Sequence, residues 1–144
     1  MTSETELSAF VAAQNDVYDD VLRELAAGRK ETHWIWFIFP QLAGLGRSST
    51  SARFALPTKA AARKFLDHPV LGPRLRECTK LLLASPEPDI SQILGYPDDL
   101  KFRSSMTLFA AAAPEEPLFQ RALDKFFRGE PDPLTIALLD KMPS

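Results

Sequence analysis

The sequence predicts an all-α protein, in which one compact multihelical domain spans residues 1–144 around an aromatic core. Three observations lead to this fold class. Apolar residues recur at helical spacing along most of the chain, prolines and glycines divide it into short segments, and no two strand-like runs are available to pair. With 144 residues, 45% of them hydrophobic and ten of them phenylalanine, the chain is large and apolar enough to bury a ring-rich core.

The first predicted helical region covers residues 7–27. Its apolar residues recur at steps of three and four, namely Phe10, Ala13, Val17, Val21 and Leu25. Asn15 and Asp16 interrupt this pattern, so they could end a first short helix and cap a second. Gly28 supplies the stop signal.

The aromatic segment HWIWFIFPQ, residues 33–41, is the most unusual stretch of the chain. Its length and composition also suit a buried strand, and periodicity alone does not exclude one. However, no second strand-like run lies nearby, and a lone strand would leave its backbone groups unsatisfied. The sequence therefore favours a short buried helical turn ended by Pro40, followed by a glycine-containing loop over residues 42–47.

Prolines and capping residues divide the rest of the chain into further helices. Thr58 and Asp89 are predicted N-caps, whereas His68 with Pro69 and Gly129 are predicted stops. The predicted helices cover residues 48–56, 58–66, 71–84, 89–94, 98–113, 118–128 and 134–141.

Composition argues against several classes of function. The formal net charge is −2, from 17 basic and 19 acidic side chains, so the basic excess typical of nucleic-acid binders is missing. The acidic first residues do not resemble a signal peptide, and the longest uncharged stretch, residues 32–46, is too short to span a membrane. A single cysteine fits a reducing compartment. We therefore expect a cytoplasmic protein without nucleic-acid or membrane partners, and the sequence predicts no oligomeric state.

Familiar catalytic and cofactor motifs are missing from the sequence. Cys78 lies on an apolar stripe with Leu75 and Leu82, which predicts a buried, inert thiol. Two histidines and one cysteine do not have the spacing of a metal site, so no metal and no cofactor are predicted. The glycine loop beside Arg47 could receive an anion, although the sequence favours a simple turn with an N-cap at Ser48.

The segment richest in chemistry covers residues 96–107. On a helix, Asp98, Lys101 and Ser105 fall at i, i+3 and i+7 and so share one face. A helix cap at Asp98 with a solvated Asp98–Lys101 salt bridge is the simpler interpretation. Against it, the run Ser104-Ser105-Met106-Thr107 carries hydroxyls into an apolar stretch, where buried hydroxyls need partners.

His33 stands between charged residues and the aromatic segment, where an imidazole could act as acid or base or simply anchor the turn. We expect His33 to meet the Asp98–Lys101–Ser105 face around one pocket for a small anionic or nucleotide-like ligand. The catalytic candidates are His33, Asp98 and Lys101, and the ligand-binding candidates are Trp36, Gln41, Arg47, Arg74 and Ser105. A non-enzymatic interaction module, with a purely structural polar cluster, is the alternative. The sequence leaves open whether the protein is an enzyme.

Several motifs resemble the bacterial domain-of-unknown-function family 1810. They are GRK at residues 28–30, HWIWFIFPQ at 33–41, LG at 45–46, HPVLGPRL at 68–75, PDDLK at 97–101 and TLF at 107–109. The resemblance extends from about residue 10 to about residue 139, and it implies a small multihelical fold without an established activity. Some members are labelled calpastatin, but that inhibitor is disordered and this chain is too apolar to be so.

Overall fold

A computed structural model describes residues 4–45 and 49–142 of the chain. Within these ranges the protein is all-α, with ten helices and no strand, as the sequence predicts. The helices are α1 Glu4–Asn15, α2 Tyr18–Ala26, α3 Ile35–Ile38, α4 Ser49–Phe54, α5 Lys59–Asp67, α6 Leu71–Ala84, α7 Ile90–Leu94, α8 Asp98–Ala112, α9 Leu118–Phe127 and α10 Pro133–Asp140. None of the described helices is long and apolar enough to cross a membrane.

Helix α8 forms the centre of the fold and packs against α3, α5, α7, α9 and α10. Its buried face organises the aromatic core, which confirms the prediction of a ring-rich interior. Phe102 contacts the rings of Phe39, Phe126 and Phe127. Two turns later, Phe109 packs against other rings, those of Phe65 and Phe119. The central helix therefore joins both halves of the core.

The aromatic segment forms a helical turn rather than a strand. Helix α3 covers four residues of it, and both Trp34 and Pro40 are buried. After Pro40 the chain makes one isolated parallel bridge, between Leu42 and Leu56. This single bridge does not form a sheet. Residues 35–38 therefore have no strand to pair with among the described residues, and they satisfy backbone groups within a helical turn, as predicted.

Two of the predicted caps are confirmed and two are wrong. The side chains of Thr58 and Asp89 accept hydrogen bonds from the backbone at the starts of α5 and α7. Asp16 does not cap α2, because the helix begins one residue later than predicted and Val17 takes the cap position. Asp98 is the first residue of α8 rather than its cap, and its carboxylate binds lysine side chains instead.

His68 and Cys78 have the structural roles that the sequence predicts. His68 follows α5, and its Nδ1 accepts hydrogen bonds from the backbone N–H groups of Val70 and Leu71 at the start of α6. Cys78 is buried, and burial raises the pKa of its thiol to about 12. A protonated thiol at neutral pH is a poor nucleophile, so the inertness of Cys78 stays a prediction with a physical basis.

Candidate functional site

Two lysines share one carboxylate at the start of α8. The ammonium of Lys30 lies 2.8 Å from the Asp98 carboxylate, and that of Lys101 lies 3.7 Å from it. The side chains of Lys30, Asp98 and Lys101 are 6%, 18% and 22% exposed. Two ammonium groups therefore face one carboxylate in a region largely withdrawn from water.

The chain brings Lys30 to this position through the turn that ends α2. Gly28 adopts a positive φ of 75°, and the N–H groups of Gly28 and Arg29 bond to carbonyls of the last helical turn. This is a Schellman cap, in which glycine takes the left-handed conformation without steric cost. The backbone N–H of Lys30 then donates to the Ile93 carbonyl at 2.7 Å, which fixes the lysine beside α7 and α8.

Each lysine also lies over a tryptophan ring of the aromatic segment. The Lys30 ammonium is 5.0 Å from the centre of the Trp34 ring, and the Lys101 ammonium is 5.8 Å from that of Trp36. Cations are attracted to ring faces within about 6 Å. Lys30 has the shorter distance to both its carboxylate and its ring, so Lys101 is the less strongly held of the two.

Lys101 lines a pocket of about 430 Å³ between the first turns of α8 and α10. We call it the Lys101 pocket, and its lining residues are Gln41, Leu45, Pro97, Leu100, Lys101, Arg103, Ser104, Asp132 and Leu134. Its volume lies within the range of about 300–1,000 Å³ that is typical of small-molecule sites. The lining thus combines two cations, one carboxylate, an amide and a hydroxyl with apolar side chains.

Arg103 is the second cation of the Lys101 pocket. Its Nε donates to the Glu130 carbonyl at 3.0 Å, and its guanidinium lies 5.5 Å from the centre of the Phe127 ring. The Glu130 carboxylate is 3.8 Å away and belongs to an exposed side chain, so it neutralises Arg103 weakly. The ring and the carbonyl therefore fix Arg103 while leaving much of its charge uncompensated.

Asp132, the one carboxylate in the described lining, serves to cap α10. Its Oδ2 accepts hydrogen bonds from the Ser104 hydroxyl at 3.0 Å, the Thr135 hydroxyl at 2.6 Å and the Thr135 N–H at 3.1 Å. Its own N–H donates to the Thr107 hydroxyl at 2.9 Å. Two of the three hydroxyls that enter the core from α8, those of Ser104 and Thr107, are therefore satisfied by this cap.

Ser105 and Trp36 differ from these satisfied groups. The hydroxyl of Ser105 and the indole N–H of Trp36 are buried, and neither has a hydrogen-bond partner among the described residues. Ser105 is completely buried, so the face that it shares with Asp98 and Lys101 runs from the surface into the core. A buried polar group without a partner costs about 1–3 kcal/mol, and such groups are rare enough to need an explanation.

The remaining predicted site residues are dispersed. His33 is exposed and is not among the lining residues, so its approach to the Lys101 pocket stays a prediction. Arg74 lies elsewhere, where it donates to the Gln14 side chain at 3.3 Å and packs on the Tyr18 ring. Arg47 and Ser48 lie outside the described residues. Of the eight candidates, Gln41 and Lys101 line the pocket, and Asp98 and Trp36 contact Lys101.

Comparison with known proteins places this structure in a family. A family model described as "Protein of unknown function (DUF1810)" matches residues 4–139. The chain belongs to the DUF1810 family. It is also similar to the crystal structure of the conserved hypothetical protein Rv1873 from Mycobacterium tuberculosis, with 47% sequence identity and a TM-score of 0.93 over 95% of this chain and 98% of that one. No curated protein matches it. The resemblance read from the motifs is therefore confirmed for this DUF1810 protein.

Proposed function

We propose that this DUF1810 protein binds a small anionic molecule in the Lys101 pocket. The observation that carries the proposal is the excess of cations in the described lining, where Lys101 and Arg103 stand beside the single carboxylate of Asp132. Asp98 is shared by two lysines and is closer to Lys30, and the carboxylate nearest to Arg103 belongs to the exposed side chain of Glu130, 3.8 Å away. Both ion pairs are long, so an anionic ligand would give each cation a closer partner.

Each polar residue has a specific role in this proposal. Lys101 and Arg103 attract the anion, and the amide of Gln41 donates a hydrogen bond to it. The ion pair with Asp98 and the contact with the Trp36 ring hold the Lys101 ammonium group in one orientation. Arg47 remains a further candidate because it follows Leu45, which lines the pocket, by two positions in the sequence.

The lining offers more groups for binding an anion than for acid–base catalysis. Its one carboxylate, Asp132, accepts three hydrogen bonds through Oδ2 as the cap of α10, which leaves only Oδ1 for a proton from a substrate. The other polar groups of the described lining are cations, an amide and the hydroxyl of Ser104, which donates to Asp132. His33 would have to reach the pocket to act as a base, and that role stays a hypothesis.

Thermal unfolding with a panel of anions tests the proposal. Phosphate, pyrophosphate, nucleotides and carboxylic acids are compared with neutral sugars at equal ionic strength. A ligand at 100 times its dissociation constant stabilises the folded protein by about 2.7 kcal/mol, which gives a clear rise in Tm. The rise should disappear in Lys101→Met and persist in the control Lys80→Met, an exposed lysine on α6.

Two results would contradict anion binding. One is equal stabilisation by charged and neutral compounds, and the other is a response that survives in Lys101→Met. If no compound of a broad panel raises the Tm, the alternative gains support, namely an interaction module whose polar cluster is structural.

A further inference from the structure

The described residues include three exposed large hydrophobic side chains, and two of the three line the Lys101 pocket. They are Tyr96, Leu100 and Leu134, of which Leu100 is 46% and Leu134 is 67% exposed. Both leucines line the pocket, and Tyr96 precedes Pro97, another lining residue. Scattered exposed leucines are ordinary, but apolar side chains gathered at one pocket indicate a surface that a partner covers.

The two leucines stand on well-anchored helices. Leu100 lies in the first turn of α8 and Leu134 in the first turn of α10, and these two helices pack together. The hydrogen bond from the Ser104 hydroxyl, in the second turn of α8, to the α10 cap residue Asp132 joins the two helices at 3.0 Å. We call Leu100 and Leu134 the apolar wall of the pocket. The wall and the cations Lys101 and Arg103 therefore keep a fixed spacing, which is what selective binding requires.

We infer that the ligand is an amphipathic anion, with an acidic head on Lys101 and Arg103 and an aliphatic body against Leu100 and Leu134. This inference rests on the proposed function and names the chemical class of its ligand. A bare inorganic anion, or a ligand whose whole surface is polar, would leave the apolar wall in water. The head group is a carboxylate or a phosphate ester. The first is a planar oxyanion and the second a tetrahedral one, and lysine and arginine side chains bind both.

A homologous series of ligands separates the two parts of the inference. The purified full-length protein is titrated by calorimetry with butanoate, hexanoate and octanoate, with inorganic phosphate and octyl phosphate, and with neutral 1-octanol, all below micellar concentrations. Burial of each added methylene should strengthen binding about threefold to fourfold until the wall is covered. Octanoate should therefore bind at least tenfold more tightly than butanoate, and octyl phosphate at least tenfold more tightly than phosphate. Octanol should bind at least tenfold more weakly than octanoate.

Two variants assign the effects to their residues. Leu134→Ser should flatten the dependence on chain length and leave the affinity for phosphate unchanged. Lys101→Met should remove the preference for octanoate over octanol. Lys80→Met is the control and should behave as the natural sequence does. Because Leu134 and Lys80 are exposed, these substitutions leave the fold intact, which circular dichroism and thermal melting verify.

The possible failures are distinguishable. If phosphate and butanoate bind as tightly as the octyl compounds, the inference is overturned while the proposed anion site stands. If octanol binds as tightly as octanoate, the apolar wall binds ligands but the proposed anion site fails. If no compound binds and Leu134→Ser instead converts a dimer to a monomer in sedimentation, both ideas are wrong and the wall is an interface between copies of this chain.

Discussion

Two polar regions of this molecule, the Glu24 site and the Lys101 pocket, differ in how completely their groups are paired. Glu24 is buried in α2, and its carboxylate accepts hydrogen bonds from the N–H groups of Glu31 and Thr32 at 2.7 and 3.0 Å. It also accepts from the Thr32 hydroxyl at 2.7 Å and the Trp34 indole at 3.0 Å. In contrast, Lys101 lies 3.7 Å from a carboxylate that is closer to another lysine.

The difference suggests how to separate structural from functional polar groups in a protein without known activity. The partners of Glu24 all come from the segment just after α2, and together they fix that segment and the buried Trp34. The groups around Lys101 come from α3, α8 and the end of α2, and they include the unpartnered indole of Trp36. A complete set of partners is typical of a structural group, and an incomplete set beside a pocket is typical of a binding site.

Replacement of Glu24 should give the largest loss of stability. Glu24→Gln keeps the shape of the side chain but removes the charge and turns one acceptor into a donor that faces other donors. We expect the free energy of unfolding to fall by about 3 kcal/mol, because hydrogen bonds to charged groups are stronger and buried donors are left unpaired. Urea denaturation measures this change. Glu31→Gln is the control, since its exposed side chain should contribute less than about 0.5 kcal/mol. Equal losses in both variants would contradict a special role of Glu24.

Acid should weaken the Glu24 site in a defined range of pH. Burial alone would raise the pKa of Glu24, but hydrogen bonds from Thr32, Glu31 and Trp34 lower it to about 2, below its ordinary value of 4.5. A carboxyl group whose pKa is lower in the folded state contributes stability above its unfolded pKa and loses that contribution as the pH falls. The stability difference between the natural protein and Glu24→Gln should therefore be constant above pH 4.5 and shrink between 4.5 and 2. A constant difference down to pH 2 would contradict the lowered pKa.

Two neighbouring serines on α8 sharpen the comparison. Ser104 donates to Asp132 at 3.0 Å, whereas the buried hydroxyl of Ser105 lacks a partner among the described residues. Ser104→Ala should lower the free energy of unfolding by about 1–2 kcal/mol, because it weakens the cap of α10. Ser105→Ala should leave it unchanged or raise it by about 1 kcal/mol, because an unsatisfied buried group disappears. Chemical denaturation of both variants checks the opposite signs, and a loss of stability in Ser105→Ala would indicate a missing partner such as a buried water.

The fold was largely predictable because its signals are local. Thr58 and Asp89 act on N–H groups a few residues away, so their capping roles follow from the sequence itself. The helical turn at residues 35–38 follows from the lack of a pairing partner and from Pro40. Asp98 shows the limit, since its local pattern indicates a cap while its nearest partner is Lys30, which is distant in sequence.

The candidate site was only partly predictable because it is assembled by tertiary packing. Lys101, Gln41 and Trp36 stood out as polar or aromatic residues near apolar segments. Arg103 and Asp132 did not, because their positions depend on the contact between α8 and α10. The pairing of Ser104 with Asp132 could not be read from a run of three hydroxyls, and neither could the isolation of Ser105.

Replacement of Lys101 should have the smallest effect on stability and the largest on binding. In Lys101→Met an unbranched side chain of similar length replaces the lysine beside Trp36, and Asp98 keeps its closer ion pair with Lys30 at 2.8 Å. Because Asp98 stays paired with Lys30, loss of the 3.7 Å pair leaves no carboxylate without a partner and should lower the free energy of unfolding by less than about 1 kcal/mol. Lys30→Met should cost more, because it removes the nearer and more deeply buried partner of Asp98.

Anion binding by Lys101→Met completes the contrast. Lys101→Met should weaken anion binding at least tenfold. The Tm of this variant should stay close to that of the natural protein. Urea denaturation and calorimetric titration with octyl phosphate give the two quantities on one sample. A large loss of stability in Lys101→Met would assign Lys101 to the structural groups, as for Glu24, and would remove the main physical reason for an anion site. Retained stability with lost binding would mean that the ammonium group is kept for a ligand, because it contributes little else to the fold.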